Sequence, residues 1–135
     1  MFICLYLWFV SPMLKLIFCL RRLPHLSRAE FQRYWREVHG PLVRQHAAAL
    51  RIRRYVQAHT LDDQFNEALR ASRGADEAFD GVAELWWDGR AEFEAATASA
   101  EGRAASLALF EDERRFIDHA RSPLFVSEEH AVIAP

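Results

Sequence analysis

The first regular pattern along the chain is an alternation of apolar and polar residues over positions 13–21, which predicts a β-strand. The apolar members of this stretch share one side and are Leu14, Leu16, Phe18 and Leu20. Positions 52–60 and 81–87 are rich in β-forming residues, and 124–133 is a further extended segment. We therefore expect four strands.

Between the first two strands the apolar period changes to that of a helix. Ser27 is the expected N-cap, and Glu30 completes a capping box. The apolar face that follows consists of Phe31, Tyr34, Trp35, Val38 and Leu42. We expect Gly40 to end this helix and Pro41 to begin a short second one. A long helical region over 91–120 is predicted to break at Gly102.

The resulting order, β-α-β-β-α-β, predicts an α+β fold of the ferredoxin-like type, in which an antiparallel sheet carries both helices on one face. Residues 13–135 are expected to form this single domain, with the polar stretch 62–79 as an inserted loop that holds a short helix near 64–72. Residues 1–12 are an apolar N-terminal extension, and Met13 is a second plausible start. The extension is too short for a bilayer-spanning helix, which needs about 20 apolar residues, so a membrane anchor is the weaker alternative.

The side of the sheet without helices must meet water, a ligand or another subunit. Strand parity places on the helix side Leu14, Leu16, Phe18, Leu20, Ile52, Val56, Ala58, Ala83, Leu85 and Trp87. The other side then holds Ile17, Cys19, Arg21, Arg53, Tyr55, Gln57, His59, Val82, Glu84 and Trp86. This mixture of apolar and ionisable groups suits a homodimer that packs sheet on sheet and encloses a pocket. A slip of one residue in any strand would reverse its assignment.

Composition narrows the class of protein. The chain has 135 residues, of which 51% are hydrophobic, and its net charge is −2, which fits one globular domain without general attraction to nucleic acid or anionic membranes. Cys4 and Cys19 form no disulfide framework, so the cytoplasm is the simplest compartment. The sequence contains no metal-ligand spacing, phosphate loop or nucleophile motif. We therefore expect a small-molecule substrate, with neither a metal nor a cofactor.

His39 is the first candidate for proton transfer, because it lies four residues after Trp35 and so borders the apolar face of the first helix. We expect it at the end of that helix, where the helix dipole favours the imidazolium and burial favours the neutral ring. A ring held between these influences suits general acid–base catalysis. The alternative is a structural histidine that bonds the last carbonyl groups of its helix.

Tyr55 and His59 lie four positions apart on the second strand and so share one of its sides. In a pocket, Tyr55 would donate a hydrogen bond to a developing oxyanion and His59 would accept a proton. The alternative is that His59 is a strand-end residue at the edge of the sheet.

Glu84 lies in the middle of the third strand, where a carboxylate is costly unless it is paired. One interpretation is a salt bridge to Arg21 or Arg53, and the other is a carboxylate that orients a catalytic histidine. The residues expected to contact substrate are Trp86, Glu84, Val82, Trp35, Arg53 and Ile17. For the aromatic members the alternative is a place in the core. The charged run 111–115 is expected to be a solvated helix face.

The stretch 26–43, LSRAEFQRYWREVHGPLV, resembles the EthD family, which is named for ethyl tert-butyl ether degradation. It contains the motif Trp35-x-x-x-His39-Gly40-Pro41-Leu42, and the segments KLIFCLRR, IRRYVQAHT, DGVAELWW and EEHAVI share the likeness. The resemblance covers residues 14–133 and implies a dimeric α+β barrel, in which two ferredoxin-like subunits pack their open sheets and each holds a pocket.

The resemblance implies several activities. Members of the wider group carry out metal-free monooxygenation, isomerisation, cyclisation, dehydration and decarboxylation, and the founding member of the family is an accessory to an ether-degrading monooxygenase system. We expect a cofactor-independent acid–base enzyme of the decarboxylase, dehydratase or cyclase class that acts on an aromatic or polyketide-like substrate. The alternatives are an oxygenase or an accessory to one, and a dimer that binds a ligand without catalysis.

Overall fold

The computed structural model describes residues 12–135, and the extension predicted over residues 1–12 lies outside that range except for Pro12. Four strands are present: β1 Leu14–Leu20, β2 Arg54–His59, β3 Gly81–Trp87 and β4 Leu124–Ser127. The helices are α1 Arg28–Tyr34, α2 Gly40–Leu50, α3 Gln64–Arg73, α4 Arg90–Ala98 and α5 Ala100–Glu113. A π-helical turn, Trp35–His39, joins α1 to α2, and a 3-10 turn, His119–Arg121, precedes β4.

The four strands form one antiparallel sheet in the order β2-β3-β1-β4. This order confirms the α+β, ferredoxin-like fold that the succession of elements predicts. Residues of β1 and β3 that face each other across the sheet include Leu16 with Leu85 and Phe18 with Ala83, all on the helix side as expected. The opposite side, the open face, consists of Lys15, Ile17, Cys19, Arg54, Val56, Ala58, Val82, Glu84, Trp86, Phe125 and Ser127.

The predicted parity of β2 is wrong. Tyr55 lies opposite Leu85, Gln57 opposite Ala83 and His59 opposite Gly81, so these three residues lie on the helix side. The strand predicted over 52–60 includes Ile52 and places it on the helix side with Val56 and Ala58, but β2 begins only at Arg54. The shift by one position moves the whole set to the other face, because side chains alternate along a strand.

The first helix begins as predicted but does not end at Gly40. The Ser27 hydroxyl accepts from the backbone N–H of Glu30 at 3.1 Å, and the Glu30 carboxylate accepts from Ser27 N–H at 3.0 Å. Gly40 has helical angles of φ −56° and ψ −51°, so the chain continues through the π-helical turn into α2. The end is at Arg51, in the left-handed conformation with φ 57°. His39 is therefore inside a continuous helical segment and not at a helix end.

The second helical region breaks at Ser99 and not at Gly102. Ser99 is extended, and its hydroxyl caps α5 by accepting from Gly102 N–H at 2.9 Å. A Cβ at Gly102 would overlap the carbonyl group of Ala96, so this glycine allows α4 and α5 to approach each other. The helix ends at Glu113, seven residues before the predicted end at position 120, and β4 ends at Ser127 and not at 133.

The core lies between the sheet and the helices, and aromatic rings dominate it. The largest fully buried side chains are Trp35, Phe31, Phe116 and Leu20. A Cβ at Gly81 would overlap the Trp35 indole, so the glycine at the start of β3 makes room for that ring over the sheet. Within residues 12–135, no helix combines the length and the apolar run that crossing a bilayer requires.

Candidate active site

A cavity of about 230 Å³ lies between the helix side of the sheet and the helices. Most of its wall is apolar, with Phe18, Leu85 and Trp87 from the sheet and Val43 and Leu109 from the helices. Its polar lining residues are His39, Tyr55, Thr97, Ser106 and Glu113. Among the described residues that line it, none is a lysine or an arginine. An apolar space with a few convergent proton-bearing groups is typical of a small-molecule site.

His39 forms a buried pair with Asp112. The imidazole Nδ1 lies 2.8 Å from Asp112 Oδ2, and His39 is only 5% exposed. The Tyr34 hydroxyl donates to the other carboxylate oxygen, Oδ1, at 2.5 Å. Because a carboxylate accepts hydrogen bonds, it holds the imidazole proton on Nδ1 and leaves Nε2 for proton exchange. This is the arrangement of a histidine oriented by an acid.

The π-helical turn positions this histidine. Trp35 and His39 stand at the two ends of this turn, and both are buried. The Trp35 carbonyl oxygen accepts from Gly40 N–H and also from the Gln57 amide at 3.0 Å. A Cβ at Gly40 would lie 3.2 Å from the Gln57 nitrogen, so a larger residue there would crowd this bridge between helix and sheet.

Gln57 connects the other two predicted catalytic residues. Its Nε2 donates to the Tyr55 hydroxyl oxygen at 2.9 Å, and its Oε1 lies 2.8 Å from His59 Nε2. The His59 ring stacks on Trp35 with centroids 4.4 Å apart. Burial lowers the pKa of His59, and the positive charge of Arg36 lowers it further. His59 therefore supports Trp35 and Gln57 from outside the cavity wall.

Tyr55 lines the cavity directly. Burial raises the pKa of its phenol group, although the hydrogen bond from Gln57 opposes this shift. The phenol therefore keeps its proton at neutral pH. Its oxygen accepts from Gln57, and donation of its own O–H to a developing oxyanion stays a prediction.

Glu113 is the second carboxylate beside the cavity. Its Oε1 lies 3.0 Å from Nε2 of His119, and its side chain is 19% exposed. Burial raises the pKa of Glu113, while His119 and His39 act in the opposite direction. The wall therefore holds one carboxyl group whose neutral form is favoured by its surroundings.

The open face carries a different cluster. The Trp86 indole lies between the Lys15 ammonium and the Arg54 guanidinium, each 4.7 Å from the ring centroid, and its N–H donates to Glu129. Lys15 also contacts Glu84 at 3.0 Å. Glu84 is thus paired with Lys15, and not with Arg21 or Arg53 as expected. The carboxylate that orients a histidine is Asp112 instead.

The cavity brings together His39, Tyr55 and Trp35 among the predicted site residues. The others lie elsewhere: Trp86, Glu84, Val82 and Ile17 on the open face, His59 behind Trp35, and Arg53 at the surface beside Asp88. The reversed parity of β2 carries Tyr55 to the helix side, where this cavity lies, and a pocket enclosed between two open faces stays a prediction. Substrate contacts by the open-face residues stay a prediction.

Asp112 and Glu113 were missed because they lie in the charged run 111–115, which was interpreted as solvated. For Glu113, the spacing of the neighbouring apolar residues did indicate burial. Leu109, Glu113, Phe116 and Ile117 recur at helical intervals, which places Glu113 in line with buried apolar residues. No comparable pattern identifies Asp112, since its partners Tyr34 and His39 come from a segment more than 70 residues earlier.

Comparison with known proteins agrees with this architecture. The EthD domain matches residues 23–120, which is most of the chain, and the chain therefore belongs to the EthD family. No curated protein matches it significantly.

Solved structures with the same fold are distant in sequence. An EthD family protein from Bacillus halodurans C-125 is 20% identical with a TM-score of 0.58, covering 87% of this chain and 99% of its own. A dimeric ferredoxin-like protein of unknown function from Bacteroides fragilis is 11% identical with a TM-score of 0.56, covering 90% and 100%. SnoaB, a cofactor-independent oxygenase from Streptomyces nogalater, is 15% identical with a TM-score of 0.51, covering 89% and 95%. These likenesses show the fold.

Proposed function

We propose that this protein is a cofactor-independent acid–base enzyme that acts on a small aromatic substrate. The observation that carries the proposal is the His39–Asp112 pair, buried at the wall of an apolar cavity. His39 Nε2 would accept or deliver the proton in the reaction, and Asp112 would hold the ring in the required tautomer. Tyr55 would donate a hydrogen bond to the oxygen on which negative charge develops.

The size of the cavity supports a substrate with one ring. A protein cavity of about 150 Å³ is large enough to bind benzene, and the cavity here is about 230 Å³. The difference leaves room for a short side chain or a few ring substituents. We therefore propose monocyclic substrates in place of fused-ring polyketides. Decarboxylation, dehydration and cyclisation all pass through charge on a carbonyl-type oxygen and remain the reaction classes that we propose.

His59 receives a supporting role in this proposal. Its ring stacks on Trp35 and its Nε2 lies near Gln57, so it holds the cavity wall and the carbonyl of the π-helical turn. Replacing His59 should therefore weaken turnover less than replacing His39.

Proton exchange into a simple ketone tests the function without knowledge of the natural substrate. The methylene protons of phenylacetone exchange with D2O through its enol, and NMR follows the loss of signal. We expect exchange well above the buffer rate, and a loss of about a hundredfold in His39→Gln. Glu37→Gln, at an exposed position of the same π-helical turn, is the matched control. Full activity in a double variant, His39→Gln with His59→Gln, would remove the assignment, provided that the variant keeps its fold and oligomeric state.

We further propose that a second copy of the chain covers the open face. The Bacteroides fragilis neighbour is described as dimeric, and the open face exposes apolar side chains, with Phe125 48% exposed. Sedimentation should show a dimer, and Val56→Glu on the open face should produce monomers. Ala48→Glu, at an exposed position on α2, should leave the dimer intact.

An oxygenase is the second candidate, since SnoaB shares the fold and uses no cofactor. The apolar cavity supports it, because a buried hydrophobic space suits an aromatic substrate together with dioxygen. Oxygen uptake that depends on added substrate would favour this candidate. Tight ligand binding with neither exchange nor oxygen uptake would instead favour the non-catalytic dimer.

A further inference from the structure

A second proton-bearing pair reaches from the cavity towards solvent. Glu113 lines the cavity, and His119 Nε2 lies 3.0 Å from its Oε1. The His119 side chain is 32% exposed and its ring stacks on Phe110 at 4.9 Å. The pair therefore joins an almost enclosed carboxyl group to an imidazole that water can reach.

We propose that Glu113 is a second acid–base group of the cavity, that His119 exchanges its proton with solvent, and that the two serve an uncharged substrate. This inference rests on the proposed function, because it assigns the group that acts together with His39 in the same cavity. It adds a residue role and a substrate class that the His39–Asp112 pair does not itself supply. Among the proposed reactions it favours dehydration and cyclisation over decarboxylation, whose substrate is a carboxylate.

The charges around Glu113 support a proton donor. The titratable groups that face it are His119 and His39, which favour its carboxylate, and Asp112 and Tyr55. Burial outweighs the two histidines and raises the pKa of Glu113. A neutral carboxyl group therefore persists to higher pH here than at an exposed glutamate, as an acid in an apolar site requires.

The same surroundings exclude a favourable site for an anion. No lysine or arginine is found among the described lining residues, so a bound carboxylate would have no permanent cation beside it. An anion in an apolar space is costly unless a cation pairs with it. A ketone, an alcohol or a phenol avoids this cost, since its oxygen needs only hydrogen-bond donors, which Tyr55 and Glu113 provide.

Enolisation of a ketone in this cavity needs no reactant besides the two side chains. His39 Nε2 accepts a proton from the carbon beside the carbonyl group, and the electron pair of that C–H bond forms the carbon–carbon double bond. The carbonyl π pair moves to oxygen, which takes the proton of the Glu113 carboxyl group. The products are a neutral enol, a His39 imidazolium and a Glu113 carboxylate. His119 then returns a proton from solvent to Glu113, and His39 releases its own when the enol leaves.

A matched pair of ligands tests the substrate class. Phenylacetone and phenylacetate have the same shape, but one is neutral and the other is an anion. Calorimetric titration at pH 8 should give at least a tenfold tighter binding of phenylacetone. Equal affinity for the two ligands, or tighter binding of phenylacetate by the native chain, would overturn the assignment of an uncharged substrate.

Deuterium exchange into phenylacetone tests the role of Glu113. Glu113→Gln, which keeps a hydrogen-bonding partner for His119, should lower the exchange rate about a hundredfold. The control is Glu111→Gln, at an exposed position two residues away on α5, which should exchange at the native rate. Native exchange in Glu113→Gln together with a loss in His39→Gln would overturn this inference and leave the proposed function standing. Native exchange in both variants, or none above buffer in the native chain, would overturn both.

His119 acts through Glu113 and is tested by rescue. His119→Asn should lower exchange about tenfold at low buffer concentration, and added imidazole should restore it by carrying protons to Glu113. A purely structural histidine would give a loss that imidazole does not repair. That result would remove His119 from the proton route.

Discussion

On the helix side of the sheet, Tyr55 and Glu113 border the cavity, and burial raises the pKa of both groups. On the open face, Glu129 accepts the indole N–H of Trp86, and that hydrogen bond lowers the pKa of Glu129. Burial on the first side therefore shifts these acids towards their neutral forms, whereas hydrogen bonds and ion pairs on the other side stabilise charged forms. The proton-transfer chemistry that we propose uses the first side, where the binding of a ligand can change the protonation state of a buried acid.

The largest expected effect concerns the carboxylate that orients His39. Asp112→Asn keeps the shape of the side chain but no longer fixes the proton on Nδ1, so we expect phenylacetone exchange to fall by up to about a hundredfold, as in His39→Gln. Tyr34→Phe removes one hydrogen bond from Asp112 and should cost about tenfold. An unchanged rate in Asp112→Asn would place the chemistry away from the cavity.

Truncation of one residue on each face compares their packing. Leu85→Ala removes a buried side chain on the helix side and should lower the free energy of unfolding by about 2–3 kcal/mol. This value is near the lower end for such substitutions, because Leu85 already borders a cavity. Val82→Ala on the open face, where the side chain is only partly buried, should cost about 1 kcal/mol or less in dilute protein. Urea unfolding measures both. A larger loss for Val82→Ala that grows with protein concentration would locate the dimer contact there.

The pH dependence of stability reports on Glu113. Its pKa is raised in the folded chain, so the folded chain binds more protons than the unfolded one above the unfolded value of about 4.3. This residue therefore makes stability fall as pH rises through the folded-state pKa. Glu113→Gln should remove that slope and leave the variant relatively more stable in alkaline solution. The midpoints of thermal unfolding across the pH range provide the measurement, and parallel curves would contradict it.

The smallest effect is expected on the open face. Lys15→Met removes the ammonium group that contacts Glu84 and Trp86, and we expect a loss of about 1 kcal/mol or less. Salt should reduce the difference between the variant and the native chain, since a partly exposed ion pair is screened. A large loss that does not depend on salt would show that a partner subunit buries this cluster.

The fold could be predicted from the sequence because its strands and helices have local patterns that identify them. The alternation of β1 and the capping box of α1 are local patterns that the tertiary structure preserves. The predicted face of β2 was wrong because the predicted strand included Ile52, which lies outside the six-residue strand of the structure. A strand this short offers few side chains from which its two faces can be assigned. The pairing of Asp112 with His39 could not be predicted from the sequence, since it depends on how α5 packs against the π-helical turn.

The π-helical turn, Trp35–His39, has a consequence for comparing this chain with its relatives. It holds one residue more than a regular turn, and each residue rotates an α-helix by roughly 100°. A relative whose helix is regular at this point would align correctly only with a one-residue gap between Tyr34 and Gly40. Without that gap, each residue of α2 would be paired with a position roughly 100° away around the helix, and the buried face of α2 would be assigned to the wrong residues.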